Sequence, residues 1–292
     1  MKKQKLYKRL NLLNDFLFYM IMGEKGDEVQ LLGFLNAVLG KTGEDRFTAV
    51  EIIENKYLSP EVIGNKSSIL DVRAVLQGKT RVNIEVQVRN QHNMDRRSLF
   101  YWSREYLKSL KKGKDYKELP DVIAINIVDF NFPPARNSHT RFHLREDIEH
   151  DLILTDALEI HFLNMVQYRK QRKKILLDDP LNRWLVWLDV GSPPELIEEV
   201  VKMDSAIYAA NERMVYVTGD EEAIRAYEMR QMALSDYNSE MNYAHEEGHA
   251  KGLAEGLAEK ALEIAHKMKE MGFLAEQIQA ATGLTVETIE QV

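Results

Sequence analysis

Two carboxylates and a carboxamide, Asp71, Glu85 and Gln87, are the residues of this 292-residue chain whose types and spacing best suit chemistry. They stand as Asp-x13-Glu-x-Gln within the stretch ILDVRAVLQGKTRVNIEVQV. Leu70, Val72, Ala74 and Leu76 alternate with Asp71, Arg73 and Val75, and Val82, Ile84, Val86 and Val88 alternate with Arg81, Asn83, Glu85, Gln87 and Arg89. Alternation of this kind marks two strands, and Gly78 between them marks a β-hairpin. Pairing Asp71 with Glu85 sets Leu76 opposite Thr80 and leaves Gln77-Gly78-Lys79 as the loop. Three-residue loops of this type commonly carry Gly in a left-handed conformation. Opposed Cβ atoms then lie roughly 4.5–5.5 Å apart.

Like charges directly opposite one another are destabilising, so the acid pair needs a reason. One is a solvated hairpin face on which Arg73, Arg81 and Arg89 neutralise the acids. The other is a divalent cation, since Mg²⁺ is held by one or two carboxylates while water and substrate phosphate complete its shell. Patterning alone leaves both open.

The surrounding elements must place this hairpin. Asn14 or Asp15 can cap a short helix through about Met22, and Gly23–Gly26 breaks it. Asp27 and Glu28 open a second helix through about Leu39, with carboxylates at the positive end of its dipole. Thr48–Ile53 reads as a strand and Pro60–Gly64 as a loop. After the hairpin, Asp95–Leu110 forms an amphipathic helix. Leu99, Trp102, Tyr106 and Leu110 share one face, Arg97, Arg104, Lys108 and Lys111 the opposite one, and Tyr101 borders the basic stripe. The run VIAINIVD at Val122–Asp129 is a strand covered on both faces. This order describes an α/β core. Arg141–Leu144 and Leu158–Met165 read as further strands, and from about Asn182 the chain is mostly helical, one helix starting at Pro193-Pro194. Residues 248–258 repeat Gly and Ala at short intervals, which predicts a weak helix, and Phe273–Val292 predicts two short helices joined at Thr282-Gly283.

Zero cysteines exclude a disulfide scaffold, a zinc ribbon and a thiol nucleophile. The net charge of −7 argues, taken whole, against nucleic acid. Its distribution argues otherwise. Residues 1–130 carry a balance of +5 and residues 131–292 one of −12, and 88–117 hold nine Lys/Arg against Asp95, Glu105 and Asp115. A basic working surface beside an acidic region is the expectation. The basic start MKKQKLYKRL is followed by only a short apolar run, Phe16–Met22, so no signal peptide or membrane span is expected and the cytoplasm is the default location.

Several segments together resemble the bacterial recombination-promoting nuclease/transposase family of the PD-(D/E)XK nuclease superfamily. They are Asn14-Asp15-x-x-Phe18, LLGFLNAVLG at 31–40, KSSILDV at 66–72, NIEVQV at 83–88, RSLFYW at 97–102 and Gly113 to Tyr116 before VIAINIVD. The tail EEGHAKGLAEG and the closing TGLTVETI also fit. The resemblance implies a restriction-endonuclease-like core, a central mixed sheet flanked by helices, with a mostly helical C-terminal region. It divides the chain into a nuclease-like domain at 1–170, a helical region packing on it at 171–247, and a Gly/Ala-rich tail at 248–292. It implies that Asp71 and Glu85 bind Mg²⁺ with the Val86 carbonyl as a further ligand, polarising a scissile phosphate and generating hydroxide from water. Gln87 stands where the superfamily usually has Lys; a glutamine orients water but adds no positive charge. Arg97, Tyr101, Arg104, Lys108 and Lys111 would face DNA phosphates. The implied function is a Mg²⁺-dependent DNA endonuclease with little sequence preference that promotes recombination or transposition. The alternative is a non-catalytic DNA- or protein-binding module that assembles into homo-oligomers through its tail.

Other signals carry less. Glu28 is an inward acid or, more simply, a helix-start carboxylate, and Asp15 has an equal explanation as a cap. His245-Glu246-Glu247-Gly248-His249 fits H-E-x-x-H, but the polar, glycine-rich context is poor for a zinc protease. His161 on a strand suits a core network better than a ligand. The closing TGLTVETIEQV has the look of a helix-turn-helix edge too short to read DNA.

Overall fold

The computed structural model describes residues 10–26, 28–53, 71–108, 115–172 and 176–292. The described residues up to Gln231 form one compact unit, and Met232–Val292 form a second. In the first unit, α1 (Asp15–Met22) and α2 (Glu28–Val38) lead into β1 (Val50–Ile53), β2 (Val72–Leu76) and β3 (Thr80–Gln87). Then come α3 (Met94–Leu107), β4 (Val122–Val128), β5 (His139–His143) and β6 (Leu158–Asn164). The helices α4 (Met165–Gln171), α5 (Pro180–Leu188), α6 (Pro194–Met203) and α7 (Ser205–Gly219) follow, and α8 spans Glu221–Glu270. Of the two caps the sequence offers, Asn14 is the one used, accepting the Leu17 N–H at 3.1 Å. The expected loop at 60–64 and Lys111 lie outside the described residues.

The strands form one mixed sheet in the order β1-β2-β3-β4-β6-β5. β2 pairs antiparallel with both β1 and β3; β3, β4 and β6 run parallel to one another, and β5 closes the edge antiparallel to β6. All seven residues of β4 are buried, which its unbroken β-branched run requires, because helices cover both faces. One face carries the main core. Val72, Ala74, Val82, Ile84, Ile125 and Ile127 meet Phe18, Leu31, Phe34 and Trp184 there. Phe34 and Trp184 pack edge to face at 5.4 Å. Gly33 is needed at this packing, since a Cβ on it would stand 2.1 Å from the Ala206 Cβ. The close approach of α2 to α7 therefore rests on that missing methyl.

Towards the β5 edge, the same face holds a polar ladder. His161 is fully buried and bonded at both ring nitrogens, to His139 Nε2 at 2.8 Å and to Glu159 Oε1 at 2.8 Å. The two rings stack at 5.1 Å, and Arg141 lies 3.7 Å from Glu159. The sequence reading of His161 as a network residue holds.

In the second unit, α8 continues through Gly248, Gly252 and Gly256 without a break. Each glycine costs about 1 kcal/mol against Ala. Extending an existing helix needs no new nucleus, however, and the Ala, Leu, Glu and Lys between the glycines favour it. Lys260 and Lys267 bond Glu263 at 2.8 and 2.6 Å and hold its carboxyl down to about 2. Helices α9 (Ala275–Thr282) and α10 (Val286–Gln291) fold back so that Ile278 and Ile289 bury against Ala265. The joint is Gly283 at φ +73°, as the Thr282-Gly283 step predicts.

Candidate active site

The hairpin has the register read from its alternation, Leu76 opposite Thr80 and Val72 opposite Ile84. Gly78 adopts φ +69°, and Lys79 N–H donates to the Leu76 carbonyl at 3.1 Å. Asp71 is thus the first residue beyond the paired segment and adjoins Glu85. Their face is not solvated: Asp71 is 5% exposed and Glu85 2%. That excludes the reading of the acids as an open surface network, because α3 lies over them.

The docking of α3 differs from the expectation. The helix buries Met94, Ser98, Tyr101 and Glu105, a stripe at helical spacing. Leu99, expected on the apolar face, is exposed together with Phe100. Two anchors set this rotation. Met94 enters a second core with Ala124, Val128 and Phe162, and Trp102 Nε1–H donates to the carbonyls of Val122 and Ala157 at 3.1 and 3.2 Å. So placed, the helix turns Arg97 and Arg104 inward to the acids rather than outward to solvent. Burial without counter-charge would be costly for two carboxylates, and these guanidinium groups reduce the cost.

Arg97 donates to Glu85 Oε1 from Nε at 2.8 Å and from its terminal nitrogen at 2.5 Å. Arg104 stands 3.9 Å from Asp71 Oδ2. Both guanidinium groups lie on Tyr101, their carbons 5.3 and 5.0 Å from the ring centre, an arrangement favoured by the ring quadrupole. Burial nevertheless pushes both carboxyls above the usual range. Arg73 and Arg104 pull Asp71 back, and Arg97 pulls Glu85 back, while Asp71 and Asp15 push Glu85 further up.

Glu85 Oε2 is buried with no hydrogen-bond partner among the described residues. A lone pair left open beside a second carboxylate is what a hard divalent cation would take up, so these residues fit such an ion. Among the described residues no group of three or more His, Cys, Asp or Glu could hold a metal. Val86 sends its side chain into the opposite core between the two polar positions. Gln87 is half-buried and donates Nε2–H to the Arg89 carbonyl at 3.4 Å.

Other singled-out residues resolve simply. Glu28 accepts the Gly26 N–H at 3.0 Å, a helix-start role. Asp15 accepts from Arg230 Nε at 2.9 Å and from its terminal nitrogen at 2.5 Å. His245, Glu246 and His249 are exposed on α8. Lys108 does not stand alone on an outer stripe: it bonds Glu105 at 3.0 Å, and Arg73 and Arg81 approach the same buried carboxylate at 3.7 and 3.6 Å. Sequence reasoning missed this cluster. The signal was present, because Arg73 and Arg81 share the parity of Asp71 and Glu85, and Glu105 follows Tyr101 by one helical turn.

No helix among the described residues is long and apolar enough to cross a membrane. No curated protein and no solved structure matches the chain. A family model described as PD-(D/E)XK nuclease family transposase matches residues 12–244, a span running from the residues before α1 into α8. A mixed sheet flanked by helices, with a hairpin bringing Asp71 and Glu85 together beneath a basic helix, is the restriction-endonuclease-like fold of that family. With most of its length matched and its sheet built in this way, the chain belongs to the PD-(D/E)XK nuclease family transposases.

Proposed function

We propose that this protein is a Mg²⁺-dependent DNA endonuclease with little sequence preference, acting in the cytoplasm to promote recombination or transposition. The observation that carries the reading is the buried acid pair with Glu85 Oε2 left open beneath a helix of arginines. Asp71, Glu85 and the Val86 carbonyl would hold the ion. When bound, such an ion supplies Lewis-acid polarisation of the phosphodiester and a lowered pKa for water.

The chain's own groups do the remainder. Arg97 and Arg104, braced on Tyr101, offer N–H donors and positive charge where a phosphodiester gains negative charge. Gln87 orients water through its amide and adds no charge. Arg97, Tyr101, Arg104 and Lys108, with Lys111 beyond them, bind backbone phosphate, a contact that positions DNA without reading its bases. The working domain is 1–170, the helices of 171–247 support it, and the tail at 248–292 mediates homo-oligomer assembly.

A second reading, a nuclease-like binding module without catalysis, is favoured by one observation: Arg97 already satisfies Glu85 Oε1, and Gln87 brings no cation. Plasmid DNA separates the two. Nicking in Mg²⁺ that disappears in EDTA and in Asp71→Ala or Glu85→Ala supports the enzyme. Salt-sensitive binding with no cleavage, including in Gln87→Lys, supports the module, and cleavage surviving either alanine variant sinks the site assignment.

A further inference from the structure

The cluster on Glu105 gathers three cations around one carboxylate among the described residues. Glu105 is buried, and one carboxylate faces three cations, Arg73 at 3.7 Å, Arg81 at 3.6 Å and Lys108 at 3.0 Å. Among the described residues, positive charge therefore outnumbers negative charge at this cluster. The arginine separations exceed the usual hydrogen-bond length, so Glu105 fixes where the guanidinium groups stand without consuming their donors. Arg73 Nε–H is buried without a hydrogen-bond partner among the described residues. The side chains still reach solvent, with exposures of 20% for Arg73, 27% for Arg81 and 42% for Lys108.

Their position matters as much as their charge. Arg73 lies two residues along β2 from Asp71 on the same face, a step of roughly 7 Å. Arg81 lies four residues back along β3 from Glu85, a step of roughly 13 Å. The cluster therefore extends the acid pair along the seam between the hairpin and α3.

We propose that Arg73, Arg81 and Lys108, held in place by Glu105, form a phosphate-binding subsite for the nucleic-acid backbone next to the scissile position. The strand then runs along the hairpin–helix seam and not across the outer face of α3. This assignment rests on the proposed DNA substrate, but it does not require cleavage.

The test is binding of a fluorescent random-sequence DNA duplex, measured by anisotropy over a KCl series in EDTA. Each phosphate contact removed should make the slope of log K against log salt shallower by about 0.9. Arg73→Gln with Arg81→Gln should therefore lose about 1.8 of slope. Arg73→Lys with Arg81→Lys should keep it, which a purely structural role for the arginines would not predict. A thermal melt reports whether the glutamine pair folds; if it does not, Lys108→Gln decides, with an expected loss of about 0.9. Unchanged slopes in the folded charge-removing variants, or no binding by the parent protein, overturn the subsite. A parent protein that binds with these slopes but never nicks plasmid overturns the endonuclease and leaves the subsite standing.

Discussion

One sheet carries buried polar clusters on both faces, and they are built to opposite rules. On the face away from α3, His161 spends both ring nitrogens and Glu159 meets His161 and Arg141. Beneath α3, Glu85 keeps an unpartnered oxygen among the described residues, and three cations crowd one Glu105. A histidine–carboxylate ladder has the residue types of a catalytic relay, yet its central bonds are complete and leave it a structural role. The acid–arginine cluster has an open acceptor at Glu85 Oε2 and three cations on one carboxylate. The completed bonds of His161 and the open oxygen of Glu85 are what set the two clusters apart.

The largest expected effect tests whether Arg97 belongs to the chemistry. Arg97→Gln should lower plasmid nicking about 100-fold, carried by kcat with KM little changed. Arg97→Lys should retain more activity, and Gln87→Lys added to Arg97→Gln should restore part of it by returning a cation to the acid pair. Full turnover in Arg97→Gln would place the arginine with the struts.

The next effect concerns acid stability. Burial, then His161 and Arg141, lower the His139 pKa to about 4, below the ordinary value near 6.5. The folded ladder thus refuses a proton that the unfolded chain accepts. Its contribution is intact above pH 6.5 and is lost as pH falls towards 4. Denaturant melts across that window should steepen for the parent protein and flatten for His139→Asn. Equal slopes would remove the ladder from the acid response.

The smallest effect has the opposite sign. Burial raises the Asp71 carboxyl, so in metal-free protein its favourable contribution is present below the ordinary carboxylate range and lost as pH rises through the raised value. Asp71→Asn should melt slightly higher than the parent in EDTA at pH 7, by on the order of 2 °C, with the gap closing under acid. A lower melting temperature for Asp71→Asn at pH 7 would mean that the acid stabilises the fold. Falling pH thus loosens one face while rising pH strains the other.

The legible parts of this molecule are its local ones. Alternation and Gly78 specify the hairpin and its register, the run at 122–128 specifies a strand buried on both faces, and Asn14 specifies a cap. All depend on neighbours a few residues apart. The rotation of α3 was not legible, because it is decided by Trp102 reaching the carbonyls of Val122 and Ala157, the latter 55 positions away. For the same reason the sequence proposes Asp71 with Glu85 but not Glu105 with Arg73 and Arg81, where strand and helix meet only after docking. The pairing of His139 with His161 waits likewise on the β5–β6 register.

The bond between Asp15 and Arg230 spans 215 positions of chain, and the Tyr227 hydroxyl accepts the Asn11 N–H at 3.2 Å over a similar interval. On the ribosome, α1 therefore waits for its last partners while a further 215 residues are made. At about 5–20 residues per second that delay is roughly 11–43 s. Asp15 is also one of the charges that Glu85 feels, so the electrostatic setting of the acid pair is finished late in synthesis. A nascent or prematurely terminated chain would lack that setting, a built-in delay for a protein proposed to cut DNA.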